Sequence, residues 1–181
     1  MADDPVLVQV QLLGVPLGLR ARSVELGNDL VRELTLVSLG ADRSDAGVPE
    51  RLLRVAEELR DAYGDFTAGP SRQFEEALDS GLETLDVTYA VPAHAGPFAA
   101  RLVQAFEDAE DFTREGRYLL SLAATPDVVA YRRWSLGEFE RQTAGHPPLP
   151  WSEVAQEDLP ATTDPVGEDA PPPDDVTPSP R

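Results

Sequence analysis

The sequence predicts an α/β domain of the α+β kind: about five helices packed on a small two- or three-stranded sheet. Two observations carry this. Two short runs alternate apolar and polar residues with the period of a half-buried strand, and the chain between and after them carries apolar stripes at helical spacing. A third observation sets the limit of the domain: from Ala144 onward the composition shifts to proline, acids, threonine and small residues, which cannot bury enough apolar surface to order themselves. The expected organisation is one compact domain over 1–151 and a disordered acidic, Pro-rich tail over 152–181, with Leu149-Pro150-Trp151 folding back as an anchor.

The first strand is read in Val6–Leu13. Val6, Val8, Val10 and Leu12 face one way, Gln9 and Gln11 the other, and Val15-Pro16 closes it. Leu17 to about Leu39 reads as a helix with Val24, Gly27, Leu30, Val31, Leu34 and Val37 on its apolar face. Gly27 costs about 1 kcal/mol against alanine there, a cost that close approach of another element would offset. After a polar loop, Pro49 opens a second helix to about Tyr63, with Leu52, Ala56, Leu59 and Tyr63 on one side. Asp65–Pro70 reads as a loop, and a short helix from about Arg72 to Ser80 stops at Gly81.

Leu85, Val87, Tyr89 and Val91 alternate with Thr84, Asp86, Thr88 and Ala90, giving the second strand. It ends in Val91-Pro92 as the first ends in Val15-Pro16, so the chain has the outline of two similar strand–helix–helix units. Pro97 to about Arg114 is a helix with Phe98, Leu102, Ala105, Phe106, Ala109 and Phe112 on its stripe. Tyr118–Leu122 fits helix or strand. Thr125-Pro126-Asp127 is a helix start: a hydroxyl cap, a proline in the first turn and an acid at the positive end. The helix it opens runs to about Gln142. A two-stranded sheet leaves edges open. Either Tyr118–Leu122 adds a strand, or an edge pairs with a partner protein or with a second subunit in a homodimer.

The composition excludes most enzyme mechanisms. The 181 residues contain no cysteine and no lysine. Thiol nucleophiles, thiolate metal sites, Schiff bases and the phosphate-binding loop that ends in lysine are therefore absent. Two histidines remain. His94 lies between a strand and a helix, where active-site residues occur, and His146 lies in a Pro-rich linker. Acid pairs such as Glu57/Glu58 and Glu107/Asp108 sit on the polar faces of helices, as solvated surfaces do. No catalytic residue, cofactor or metal ligand is assigned.

Charge narrows the partners. The net charge of −18 repels phosphate and argues against nucleic-acid binding. Residues 151–181 alone hold eight acids and one arginine. Mimicry of nucleic acid by arrayed carboxylates is a further alternative. No apolar run approaches the roughly 20 residues that span a bilayer, and the start Met1-Ala-Asp-Asp-Pro5 is acidic, unlike a signal peptide. The expected location is the cytoplasm.

The strongest binding candidate is Tyr131-Arg-Arg-Trp-Ser-Leu-Gly-Glu-Phe-Glu-Arg-Gln142. Arginine, tryptophan and tyrosine are the residues that most often carry interface energy. Arg132, Arg133, Trp134 and Glu138 are the expected partner-binding residues. Trp134 also fits a core position beside Val128 and Phe139, and the arginines fit ion pairs with nearby acids. The alternative site is a pocket around Tyr89 and His94.

The segments Leu13-Gly-Val-Pro-Leu17, Asp29-Leu-Val-Arg-Glu-Leu-Thr-Leu36, Glu83–Pro92, Leu119–Pro126, Tyr131–Gln142 and Pro150-Trp151 together resemble a family of uncharacterised actinobacterial proteins found beside ATP-binding anti-sigma kinases and anti-sigma-antagonist domains. The resemblance spans about 6–151 and implies a role in partner-switching regulation of sigma factors or stress signalling, exerted on a protein partner such as a kinase or antagonist. The chain is not itself such a kinase. Glu25 and Asn28 stand three apart where the kinase helix has four, and no Asp-x-Gly-x-Gly follows.

Overall fold

The computed structural model describes residues 6–40, 50, 64–114 and 123–158. Two strands, β1 (Leu7–Pro16) and β2 (Thr84–Pro92), form a two-stranded antiparallel sheet. Five helices pack with it among the described residues: α1 (Leu17–Gly40), α2 (Gly64–Asp79), α3 (Ala95–Arg114), α4 (Pro126–Thr143) and α5 (Trp151–Asp158). The expected helix over 49–63 and the run 118–122 lie outside the described residues, as does the tail beyond 158.

The sheet forms where the alternation predicts it. Val10 faces Tyr89, and Leu12 faces Val87. All four are buried, while Gln9, Gln11, Asp86 and Thr88 point to solvent. Strand β1 does not stop at Leu13. Between Leu12 and Val15 it carries one extra residue relative to β2, a bulge that pairs Val15 with Leu85 and Pro16 with Thr84. The bulge shifts the inward set from even to odd positions, so Val15 and Leu17 are buried in turn. Gly14 sits there at φ +69, where a side chain is strained. Its N–H, lost to the ladder, donates to Asp86 Oδ1 at 2.6 Å. Val6, expected on the buried face, precedes the first pair and is exposed.

Helix α1 is rotated by about one residue from the expected stripe. Leu19, Ser23, Leu26 and Leu30 face inward, at i, i+4, i+7 and i+11, whereas Val24 and Val31 are 46% and 37% exposed. Both stripes have helical spacing, and the leucines bury more apolar area than the valines. Helix α2 starts at Gly64, not near Arg72, and runs through the segment expected as a loop, with Pro70 inside it. Pro70 cannot donate to the carbonyl four residues earlier. Phe74 and Ala77 compensate by burial in the shared core. Gly81, at φ +72, ends the helix as expected: its N–H donates to Leu78 O and the Leu82 N–H to Ala77 O, both at 3.0 Å.

In α3 the stripe Phe98, Leu102, Ala105 and Ala109 is buried as its spacing predicts. Gly96 permits close crossing of α4: a Cβ there would run into the Thr143 hydroxyl and lie 3.1 Å from Glu140 Cα and 3.2 Å from Phe139 O. Helix α4 buries Val128, Tyr131, Trp134, Glu138 and Gln142. Its start differs in detail from the expectation. The Thr125 hydroxyl caps no backbone N–H but donates to Asp127 Oδ1, which accepts the Val128 N–H at 2.9 Å.

Helix α5 corrects the expected tail boundary at 152. Trp151 is buried against Tyr131 and Trp134, with ring centroids at 6.0 and 5.4 Å, and Val154 and Ala155 add to the core one turn on. The spacing Trp151, Val154, Ala155 is that of one helix face. The connection from α4 is held by α4 side chains. Trp134 Nε1 donates to Leu149 O at 2.8 Å, and the Leu149 N–H donates to Glu138 Oε2 at 2.9 Å. Glu138 also accepts from Gln142 Nε2 at 2.8 Å and Arg141 Nε at 2.9 Å. Gln142 reaches β1, where its Oε1 accepts the Gln11 N–H at 2.8 Å and its Nε2 donates to Gln11 O at 2.7 Å.

Candidate functional site

The expected partner-binding residues of α4 are not one exposed surface. Trp134 is core, and Glu138 is 1% exposed with three donors on its carboxylate. Arg132 is buried too. Only Arg133 projects outward, donating from Nε to Glu107 Oε1 at 2.8 Å. A stripe of Tyr131, Trp134 and Glu138 at i, i+3 and i+7 facing the core is what removes these residues from the surface. The sequence offered no apolar side chain at 138 to announce that the stripe continues there.

Tyr89 and His94 differ in their surroundings. Tyr89 is buried edge-on to Phe139 at 5.2 Å between centroids, and His94 is exposed at the turn before α3. Neither lines the clefts described next.

A cleft of about 320 Å³ lies between α1, α3 and α4. Its apolar lining is Val24 and Val31 from α1, Leu102 and Phe106 from α3, and Leu136 from α4. Its polar groups come from Arg20, Ser23 and Asn28 on α1 and from Tyr131, Arg132 and Ser135 on α4. The rotation of α1 noted above creates this site, because it turns Val24, Gly27 and Val31 toward the cleft. Gly27 leaves room there: a Cβ would meet Phe106 at 3.9 Å and Arg132 at 4.0 Å.

Two arginines give the cleft its charge. Arg132 donates from Nε to Ser23 Oγ at 3.2 Å and from a terminal nitrogen to Ser23 O at 3.1 Å, and its guanidinium lies 4.3 Å from the Phe106 centroid. Its carboxylate neighbour, Glu110, is 3.7 Å away, beyond hydrogen-bond reach. Burial pushes the Arg132 pKa down, and Glu110 opposes this. Arginine stays protonated regardless. Arg20 stacks on Phe74 at 3.7 Å and forms no ion pair among the described residues. Burial holds the Tyr131 phenol well above its ordinary pKa, with Tyr89 adding to the shift and Arg20 opposing it. Both phenols are therefore neutral donors near pH 7. A second hollow of about 20 Å³, room for about one water, lies behind Phe106 and Arg132 toward Glu110 and Arg133.

The arrangement can hold a negative group beside an apolar one. It offers fixed cations, neutral hydroxyls and an apolar wall, with no group positioned to exchange a proton near neutrality. Among the described residues no cluster of three or more His, Cys, Asp or Glu side chains could hold a metal, and no helix is long and apolar enough to cross a membrane. Comparison with protein-family models, curated proteins and solved structures found no match.

Proposed function

We propose that the protein is a non-catalytic cytoplasmic regulator that acts by binding another protein, in partner-switching control of sigma factors or stress signalling. The single observation behind the contact surface is the pair of exposed valines, Val24 and Val31, on α1 at the mouth of the cleft. They lie one helical repeat apart on a face that α1 does not use for its own core, as docking surfaces do. The resemblance supplies the signalling setting. The chain's lack of cysteine and lysine supports binding over catalysis.

The test is site-specific photo-crosslinking. A benzophenone side chain at position 24 should capture one protein in its native extract, and the same group at Thr88, on the solvent face of the sheet, should not. The purified pair should then lose at least about tenfold in affinity with Val31→Glu, a change of about 1.4 kcal/mol. Equal capture at both positions, or adducts only with a second copy of the chain, overturns the proposal.

A second reading, a small-molecule sensor, is favoured by one observation: the 320 Å³ cleft has the size of a ligand site. It sits at Arg20, Tyr131 and Arg132, not at His94.

A further inference from the structure

The cleft also specifies what chemistry would fill it. We infer that it takes a small monocarboxylate with an unbranched apolar body, the carboxylate at Arg20 and the body along Val24, Leu102, Phe106 and Leu136. This deepens the sensor reading and rests on it.

Three features point to this class. Arg20 is half-buried at the cleft, stacked on Phe74 and without an ion pair among the described residues, so its fork is held flat and its charge is unspent. Arg132 directs two donors to Ser23, one turn along α1 from Arg20, and is ion-paired with Glu110 at 3.7 Å, so Arg20 is the cation that the cleft leaves without an acid among the described residues. The rest of the lining is an apolar wall, neutral hydroxyls and one amide. The net charge of −18 repels anions at a distance, so recognition must come from desolvated contacts inside the cleft. A single carboxylate with an apolar tail is the smallest ligand that uses both Arg20 and the wall.

The probes are octanoate and its neutral counterpart octanamide, measured on the full chain by calorimetry and by amide NMR shifts. Octanoate should bind one-to-one and shift the Gly27 amide, with octanamide at least about tenfold weaker, as expected for one charge-assisted contact. Arg20→Gln should bring the two probes to equal, weak affinity without lowering thermal stability by more than a few degrees. Gly27→Leu fills the cleft from α1 without altering either arginine, and should block both probes while leaving the fold intact. Equal binding of octanoate and octanamide by the unaltered protein would mean an apolar cavity only and overturns the inference. So does failure of octanoate to saturate at millimolar concentration, or its undiminished binding to Gly27→Leu. The crosslinking experiment reads capture of a protein and these read probe affinity, so the two proposals can fail separately.

Discussion

Replacing Glu138 with glutamine tests the account of how α4 holds the rest of the chain. The carboxylate is 1% exposed and serves three donors. Oε2 takes Gln142 Nε2 and the Leu149 N–H at 2.8 and 2.9 Å, and Oε1 takes Arg141 Nε at 2.9 Å. A glutamine has one oxygen. Its amide nitrogen must face either Arg141 or the Gln142 and Leu149 pair, donor against donor. The Arg141 side chain is 43% exposed, so losing that partner costs little. Losing the buried charge, with the glutamine's own amide donor left facing Arg141, costs about 2–3 kcal/mol. For a domain of this size that lowers Tm by roughly 6–10 °C. The assay is urea and thermal unfolding followed by the fluorescence of Trp134 and Trp151, whose ring centroids are 5.4 Å apart. Hydrogen exchange at the Leu149 amide should accelerate together with the loss of stability. Glu140→Gln, on the exposed side of the same helix, should change stability by less than about 0.5 kcal/mol. If Glu138→Gln matches the wild type within that margin, or Leu149 stays protected, the carboxylate does not organise this region and the reasoning fails.

Gly96→Ala should destabilise by about 1–3 kcal/mol, since its Cβ would press on the α4 backbone at Glu140 and Phe139; calorimetric unfolding checks it. Gly14→Ala should cost about 1–2 kcal/mol from the positive φ alone, and Asp86→Ala about 1 kcal/mol by removing the acceptor for the Gly14 N–H, both read by urea midpoints. The Asp127 carboxyl is held below its ordinary pKa chiefly by the Thr125 hydroxyl; burial opposes this, and the Val128 N–H and Arg22 add smaller lowering effects. Its stabilisation is therefore present above the unfolded-state pKa near 4 and lost as pH falls through the lower folded-state value. Asp127→Asn should destabilise modestly, by under about 1 kcal/mol at pH 7 for so exposed a group, and the gap to wild type should close as unfolding is repeated at falling pH below about 4.

The sequence made the sheet legible because alternation over Val8–Leu12 and Leu85–Val91 leaves one possible inward face for each strand. It hid the bulge, since Gly14 reads equally well as a strand end, and only the position of Asp86 across the sheet explains why the ladder continues. The face of α1 was ambiguous in the same way. The expected stripe of Val24, Gly27, Leu30 and Val31 and the inward set of Leu19, Leu26 and Leu30 have equal periodicity and share Leu30, and packing chose the leucines. That choice opened the cleft between α1, α3 and α4, which Arg132 helps to line. On α4, Trp134 could be weighed as core from its neighbours, but Glu138 and Arg132 could not. A charged side chain gives no sign in sequence that Leu149, Gln142 or Ser23 will be there to satisfy it. In α2, Pro70 argued for a loop, and burial of Phe74 and Ala77 overrode it.

Gln142 has a consequence for the molecule's behaviour in a crowded solution. Its side-chain amide presents one donor and one acceptor to Gln11 at 2.8 and 2.7 Å, so a single helix residue imitates the next peptide unit of a neighbouring strand. Exposed strand margins are where foreign chains attach and fibrils seed. Here the margin of β1 is plugged at its midpoint, and self-association along it would first have to evict that plug and break its link to Glu138.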